Sequence, residues 1–302
     1  MGYSLVLRFQ GALIGSYLGE NFSNSYPKLT QQKQGSWTEM GIELAEILYG
    51  SDKLTRTNWQ KLQNRNVEKL NGKNFDSCRE IAIAIAPVVL LFHESTSLLT
   101  EKLTQILKMC DVSAETSEYL LVWAYFLAAI VKEKSVRDIS LFETIQKTPI
   151  AKTHLAPEIE AVERYSKEGT SLEKIVSYLS RQNQPDRGAI ALAIYCFNYT
   201  REDFRLCLLR AKNSNFQTNI TPALVGAIAG AYNSINGIPI NWRIYCQKQS
   251  DLHAIDNKAK ELFSLWSGVY QPSSNKIPSY AAVAAPQIVQ PRSSLKIISQ
   301  EK

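Results

Sequence analysis

Apolar residues recur at intervals of three and four along almost the whole chain, and that spacing confines the fold to helices packed on helices. Ile42, Leu44, Ala45 and Leu48 mark one such face; Leu98, Leu99, Leu103, Ile106 and Leu107 mark another. Runs that alternate apolar with polar residues, as a half-buried strand does, are scarce. Helix-start signals agree with the spacing. Ser113, Thr170 or Ser171, and Thr200 each precede a periodic segment, with Glu115, Glu173 and Glu202 in the first turn, where the exposed N–H groups favour an acid. The expectation is an all-α protein, a compact multi-helix orthogonal bundle. Its 302 residues, 45% of them hydrophobic, suffice for one large core or two modest ones. The longest apolar runs, 81–92 and 120–131, fall short of the roughly 18 residues that cross a bilayer. They are predicted to be central core helices, and no membrane association is expected.

Two segments break the pattern. Residues 21–36 are rich in Asn, Ser, Gln and Lys around Pro27, which predicts a long exposed loop between the first two helices. From Gln271 onward the chain is rich in Ser and Ala and carries Pro272, Pro278, Pro286 and Pro291. The expected organisation is therefore a helical domain over 1–270 and a disordered or loosely docked tail over 271–302. Lys276, Arg292, Lys296 and Lys302 against Glu301 place +3 of the net charge of +6 in that tail, and the body has no basic stripe. Nucleic-acid binding gains no electrostatic support. Five cysteines, odd in number and scattered among apolar neighbours, predict reduced thiols in a cytoplasmic protein. His93, His154 and His253 are isolated, so none has a partner at metal-ligand spacing.

Four fragments carry a family likeness. Gly11-Ala-Leu-Ile-Gly15-Ser-Tyr-Leu-Gly19-Glu20 opens the chain, and Thr38-Glu-Met40-Gly-Ile-Glu-Leu44-Ala45-Glu46 follows the polar loop. Ile83-Ala-Ile-Ala86-Pro87-Val-Val-Leu90-Leu91-Phe92-His93 lies centrally, and Ala223-Leu-Val-Gly226-Ala-Ile-Ala229-Gly230-Ala231-Tyr232 precedes Gly237-Ile-Pro239 and Trp242. In this order they resemble the GALxGxxxGD helix, the helix after the TDDT motif, the central APLGLLY helix and the late AxxGAxAGAxxG element of the ADP-ribosylglycohydrolases.

The resemblance implies a hydrolase that removes ADP-ribose from modified side chains with two Mg²⁺ or Mn²⁺ ions held between carboxylates. Hard dications require charged oxygen ligands, and two of them in one site repel each other. Aligned through Met40, Leu44, Ala45 and Glu46, the TDDT positions become Gly35, Ser36, Trp37 and Thr38, and both aspartates are replaced. Aligned through Gly226 and Ala227, the late metal-binding aspartates fall on Gln217 and Asn219, with Thr218 between them. The early acidic ligand falls near Pro27 in a stretch without acids, whereas Glu20 stands at the Asp of the GD dipeptide. Glu39, Glu43 and Glu46 follow on a face whose spacing predicts solvent. The expected remnant cleft is thus Ser36, Trp37, Thr38, Gln217, Thr218 and Asn219, with no catalytic residue and the metal pair lost. This implies a binding or regulatory protein whose partner is an ADP-ribose-like nucleotide or another protein. The alternatives are a divergent hydrolase of ADP-ribosyl or related glycosidic bonds, and an assembly protein acting through its tail.

Overall fold

The computed structural model describes residues 4–21, 36–51, 53–67, 78–132, 157–182, 185–217, 220–248, 250–268, 280–285 and 288–293. Helices α1 (Leu5–Glu20), α2 (Trp37–Gly50), α3 (Arg56–Val67), α4 (Cys78–Ala84), α5 (Ala86–Phe92), α6 (Thr96–Met109) and α7 (Ala114–Lys132) form the first half. The second half holds α8 (Pro157–Lys167), α9 (Leu172–Arg181), α10 (Pro185–Thr200), α11 (Phe204–Asn213), α12 (Ile220–Gly237), α13 (Ile240–Lys248) and α14 (Ser250–Ser267). The expected all-α class holds. No described helix is long and apolar enough to cross a membrane.

The apolar run 81–92 is buried as predicted but is not one helix. Pro87 has no N–H to return to the preceding turn, and the chain breaks at Ile85 into α4 and α5. The run 120–131 lies within α7 and is largely buried. Ser113 caps α7 as expected, its hydroxyl accepting from the Thr116 N–H at 3.1 Å. Ser171, the N-cap of α9, accepts no side-chain cap bond. Thr200 is not a cap. It is the last residue of α10, its hydroxyl turns back to the Cys196 carbonyl, and Asp203 caps α11 by accepting from the Leu206 N–H.

Helix α1 organises the fold, because every residue from Arg8 to Gly19 is buried. A helix buried all round must be flanked on every side. On one side it meets α12 in an antiparallel seam of small residues. Gly11 lies against Gly230, Gly15 against Gly226 and Gly19 against Pro222. A methyl group at Gly15 would stand 2.2 Å from the Gly226 carbonyl oxygen, and one at Gly226 would stand 2.0 Å from that of Gly15. The two backbones are therefore in direct contact, which a residue with a side chain would prevent. Helix α12 is kinked at Ser234 (φ 59°, ψ 178°), beside which the Asn233 amide donates to the carbonyls of Ala229 and Arg201. A second close approach sets Gly41 of α2 against the Ala84 carbonyl of α4.

Part of the segment expected to be structureless is described. Tyr280–Ala285 (β1) and Ile288–Ser293 (β2) pair as an antiparallel ribbon, with Val283 opposite Gln290. The remainder of 271–302 and nearly all of the predicted loop 21–36 lie outside the described residues.

Candidate functional site

The last turn of α1, the first turn of α2 and the entry to α12 meet at one place. Ser36 is the N-cap of α2, and its hydroxyl accepts from the N–H groups of Thr38 (3.0 Å) and Glu39 (3.4 Å). The first N–H groups of a helix look outside it for acceptors, and that of Trp37 is one of them. Glu20, at the end of α1, supplies one: its carboxylate accepts from the N–H of Trp37 at 2.9 Å and that of Thr38 at 3.1 Å. The Ser36 hydroxyl donates to the same carboxylate at 2.9 Å, and the Thr38 hydroxyl donates to it as well. The Thr38 hydroxyl also lies 3.0 Å from that of Ser16, one turn earlier on α1. Ser16, Ser36, Trp37 and Thr38 are all buried.

Two effects oppose each other at Glu20. Burial penalises its ionised form, whereas the four donors and the positive end of the α2 dipole favour it. Burial prevails, holding the carboxyl up at about 7 against an ordinary 4.5, with hydrogen bonds from Thr38, Ser36 and the two backbone N–H groups pulling it down.

The entry to α12 begins at Gln217, which adopts a left-handed backbone (φ 49°). Its carbonyl accepts from the N–H groups of Ile220 and Thr221, both at 3.0 Å, and so starts α12. Two residues into that helix, Pro222 lies against Gly19, the neighbour of Glu20. The starts of α2 and α12 thus close on the same turn of α1. Of the six residues expected to line the cleft, Ser36, Trp37 and Thr38 gather on Glu20 and Gln217 opens α12. Thr218 and Asn219 lie outside the described residues. Glu20 and Ser16 were not among the six. The signal for Glu20 was its place at the acidic position of the GD dipeptide, but its target lies sixteen residues away in the sequence.

Glu39 shares the first turn of α2 and is half-buried rather than fully solvated. Glu43 and Glu46 are half-buried rather than fully solvated, and pair with Arg65 and Lys258. His93 is fully buried between Phe9 and Trp266 and donates from Nδ1 to the Leu90 carbonyl, while Nε2 lies 3.6 Å from Glu94. Burial holds it down at about 4. His253 is exposed, and His154 lies outside the described residues. Cys110, Cys196 and Cys207 are free thiols. Among the described residues, no group of three or more His, Cys, Asp or Glu is arranged to hold a metal ion.

A family model, ADP-ribosylglycohydrolase, matches residues 3–272. Thirty-nine chains of solved structures match. One of them, from an "ADP-ribosylglycohydrolase-related protein complex", superposes with a TM-score of 0.55 at 17% sequence identity, covering 87% of this chain and 97% of its own. That likeness establishes the fold. Comparison with curated protein sequences returned no match.

Proposed function

The chain belongs to the ADP-ribosylglycohydrolase family, and from that premise we propose that it is a non-catalytic binding or regulatory member whose cleft no longer takes the metal pair. One observation carries the reading. The Glu20 carboxylate, packed on the replaced motif, faces four N–H and O–H donors. A carboxylate so engaged offers a cation little of its lone-pair capacity, and the start of α2 opposes a cation through its dipole. Ser36, Trp37, Thr38 and Gln217 add hydroxyl, indole and amide groups but no charge. Two dications held by neutral oxygens would meet their mutual repulsion almost uncompensated. The residues present therefore do not fit the dinuclear site that the family implies.

On this reading a ligand would meet polar uncharged groups of the remnant cleft, which hydrogen-bond a nucleotide or a peptide without cleaving it. We assign it an ADP-ribose-like nucleotide or a protein partner as ligand. Isothermal titration of the purified protein with ADP-ribose, with and without Mg²⁺, tests this, run beside an assay for ADP-ribose release from modified arginine and serine. The expected result is metal-independent binding without release. Micromolar Mg²⁺ binding together with turnover would reject the reading.

A second reading, a divergent hydrolase working without the metals, draws on the position of Glu20 near 7, where a general acid or base works at neutral pH. The same four donors weigh against it, because a catalytic carboxyl must be free to reach substrate.

A further inference from the structure

We propose that Glu20 is a positioning residue, the built-in hydrogen-bond acceptor that pins the first turn of α2 to the last turn of α1 and so sets one wall of the cleft with no bound ion. The inference deepens the reading above and rests on it in one respect, namely that no cation competes for this carboxylate. Three features support it. The first is directional: two backbone N–H groups at the start of α2 converge on one side chain of α1. The amides of a helix start need acceptors from outside the helix, and here the chain supplies one.

The second is the anchorage behind Glu20. Gly19 rests on the backbone of Pro222 and Ala223, where a methyl group would meet atoms at 2.2 to 2.5 Å. Glu20 therefore projects from a turn that cannot recede toward α12. The third is that the pin has two points. Thr38 reaches both Glu20 and Ser16, four residues apart on α1, so α2 is fixed in rotation as well as in distance.

Thermal unfolding at pH 8, where the carboxyl is ionised, tests the proposal with E20A, E20Q and T38V. Each is melted in sodium formate and in sodium chloride of equal ionic strength, and again with MgCl₂ or EDTA. E20A is expected to melt roughly 5 °C or more below the parent protein, and E20Q also lower because its amide NH₂ would face donors. Formate, a carboxylate small enough for the vacated place, should recover part of the loss in E20A relative to chloride and leave the parent unchanged. T38V, which removes one donor and keeps the side-chain shape, should fall between the two. Where E20A fails to fold, T38V and E20Q decide, and their melting with the parent protein would overturn the inference. Folded E20A that responds to formate no differently than to chloride would overturn it as well. Stabilisation of the parent by Mg²⁺ alongside formate rescue of E20A would reject the metal-free cleft and leave the pin standing, so the two failures are distinct.

Discussion

Replacing Gly15 by Ala should destabilise the protein more than its single added carbon would suggest. The new methyl would stand 2.2 Å from the Gly226 oxygen, 2.9 Å from its carbonyl carbon and 3.0 Å from the Phe204 ring. Ordinary contact begins near 3.4 Å, so α1 and α12 must separate by about 1.2 Å at that point. Adding a methylene to a packed core costs typically 1–3 kcal/mol when side chains can yield. Here the nearest obstacle is backbone, which cannot rotate away, and the separation would also loosen Gly11 and Gly19 along the same seam. We expect about 3 kcal/mol or more, a fall in Tm of roughly 6–12 °C for a domain of this size. Thermal unfolding followed by far-ultraviolet circular dichroism measures it. Gly50→Ala is the control, because nothing lies within 4 Å of its Cβ position. That change should be neutral or slightly stabilising, since glycine in a helix costs about 0.5–1 kcal/mol relative to alanine. A G15A protein melting within about 2 °C of the parent would refute the argument that the seam is in backbone contact.

Two buried groups should impose opposite pH dependences over nearly the same range. Glu20 binds its proton more tightly folded than unfolded, so its contribution is full below pH 4.5 and is lost as pH rises toward 7, by up to about 3 kcal/mol. Denaturant unfolding between pH 4.5 and 7 should show E20Q without that loss, and an unchanged slope would refute the assignment. His93 binds its proton less tightly folded, so its contribution is present above 6.5 and is lost as pH falls toward 4. His93→Phe should flatten that acid limb, and a limb that persists would assign it to other groups.

Much of this architecture was legible in the sequence because helical spacing and glycine spacing are local properties. Gly11, Gly15 and Gly19 announce a helix that something approaches closely, and Gly226 and Gly230 announce a similar surface. What no spacing revealed is that these surfaces meet each other. The break at Ile85 was available in principle, since Pro87 cannot donate to the preceding turn, but an unbroken apolar run concealed it. Thr200 looked like a cap because its residue type suits one; Asp203, three residues on, competes better and is better placed. The site was half legible. Replacement of acids at Ser36, Trp37, Gln217 and Asn219 could be read by alignment, but the destination of Glu20 depends on how α2 returns to α1. Trp37, expected to line the remnant cleft, is buried, and its backbone N–H donates to Glu20.

The seam between α1 and α12 also orders events during synthesis. Helix α1 leaves the ribosome well before α12, whose glycine surface covers one side of it and is made roughly 200 residues later, a wait of about 10 to 40 seconds at ordinary elongation rates. Throughout that interval a segment destined for complete burial, from Arg8 to Gly19, lacks its α12 cover. Nascent chains stalled before Gly230 should therefore keep α1 sensitive to protease and within reach of chaperones, and should gain full protection together with the late glycine helix rather than in the order of translation.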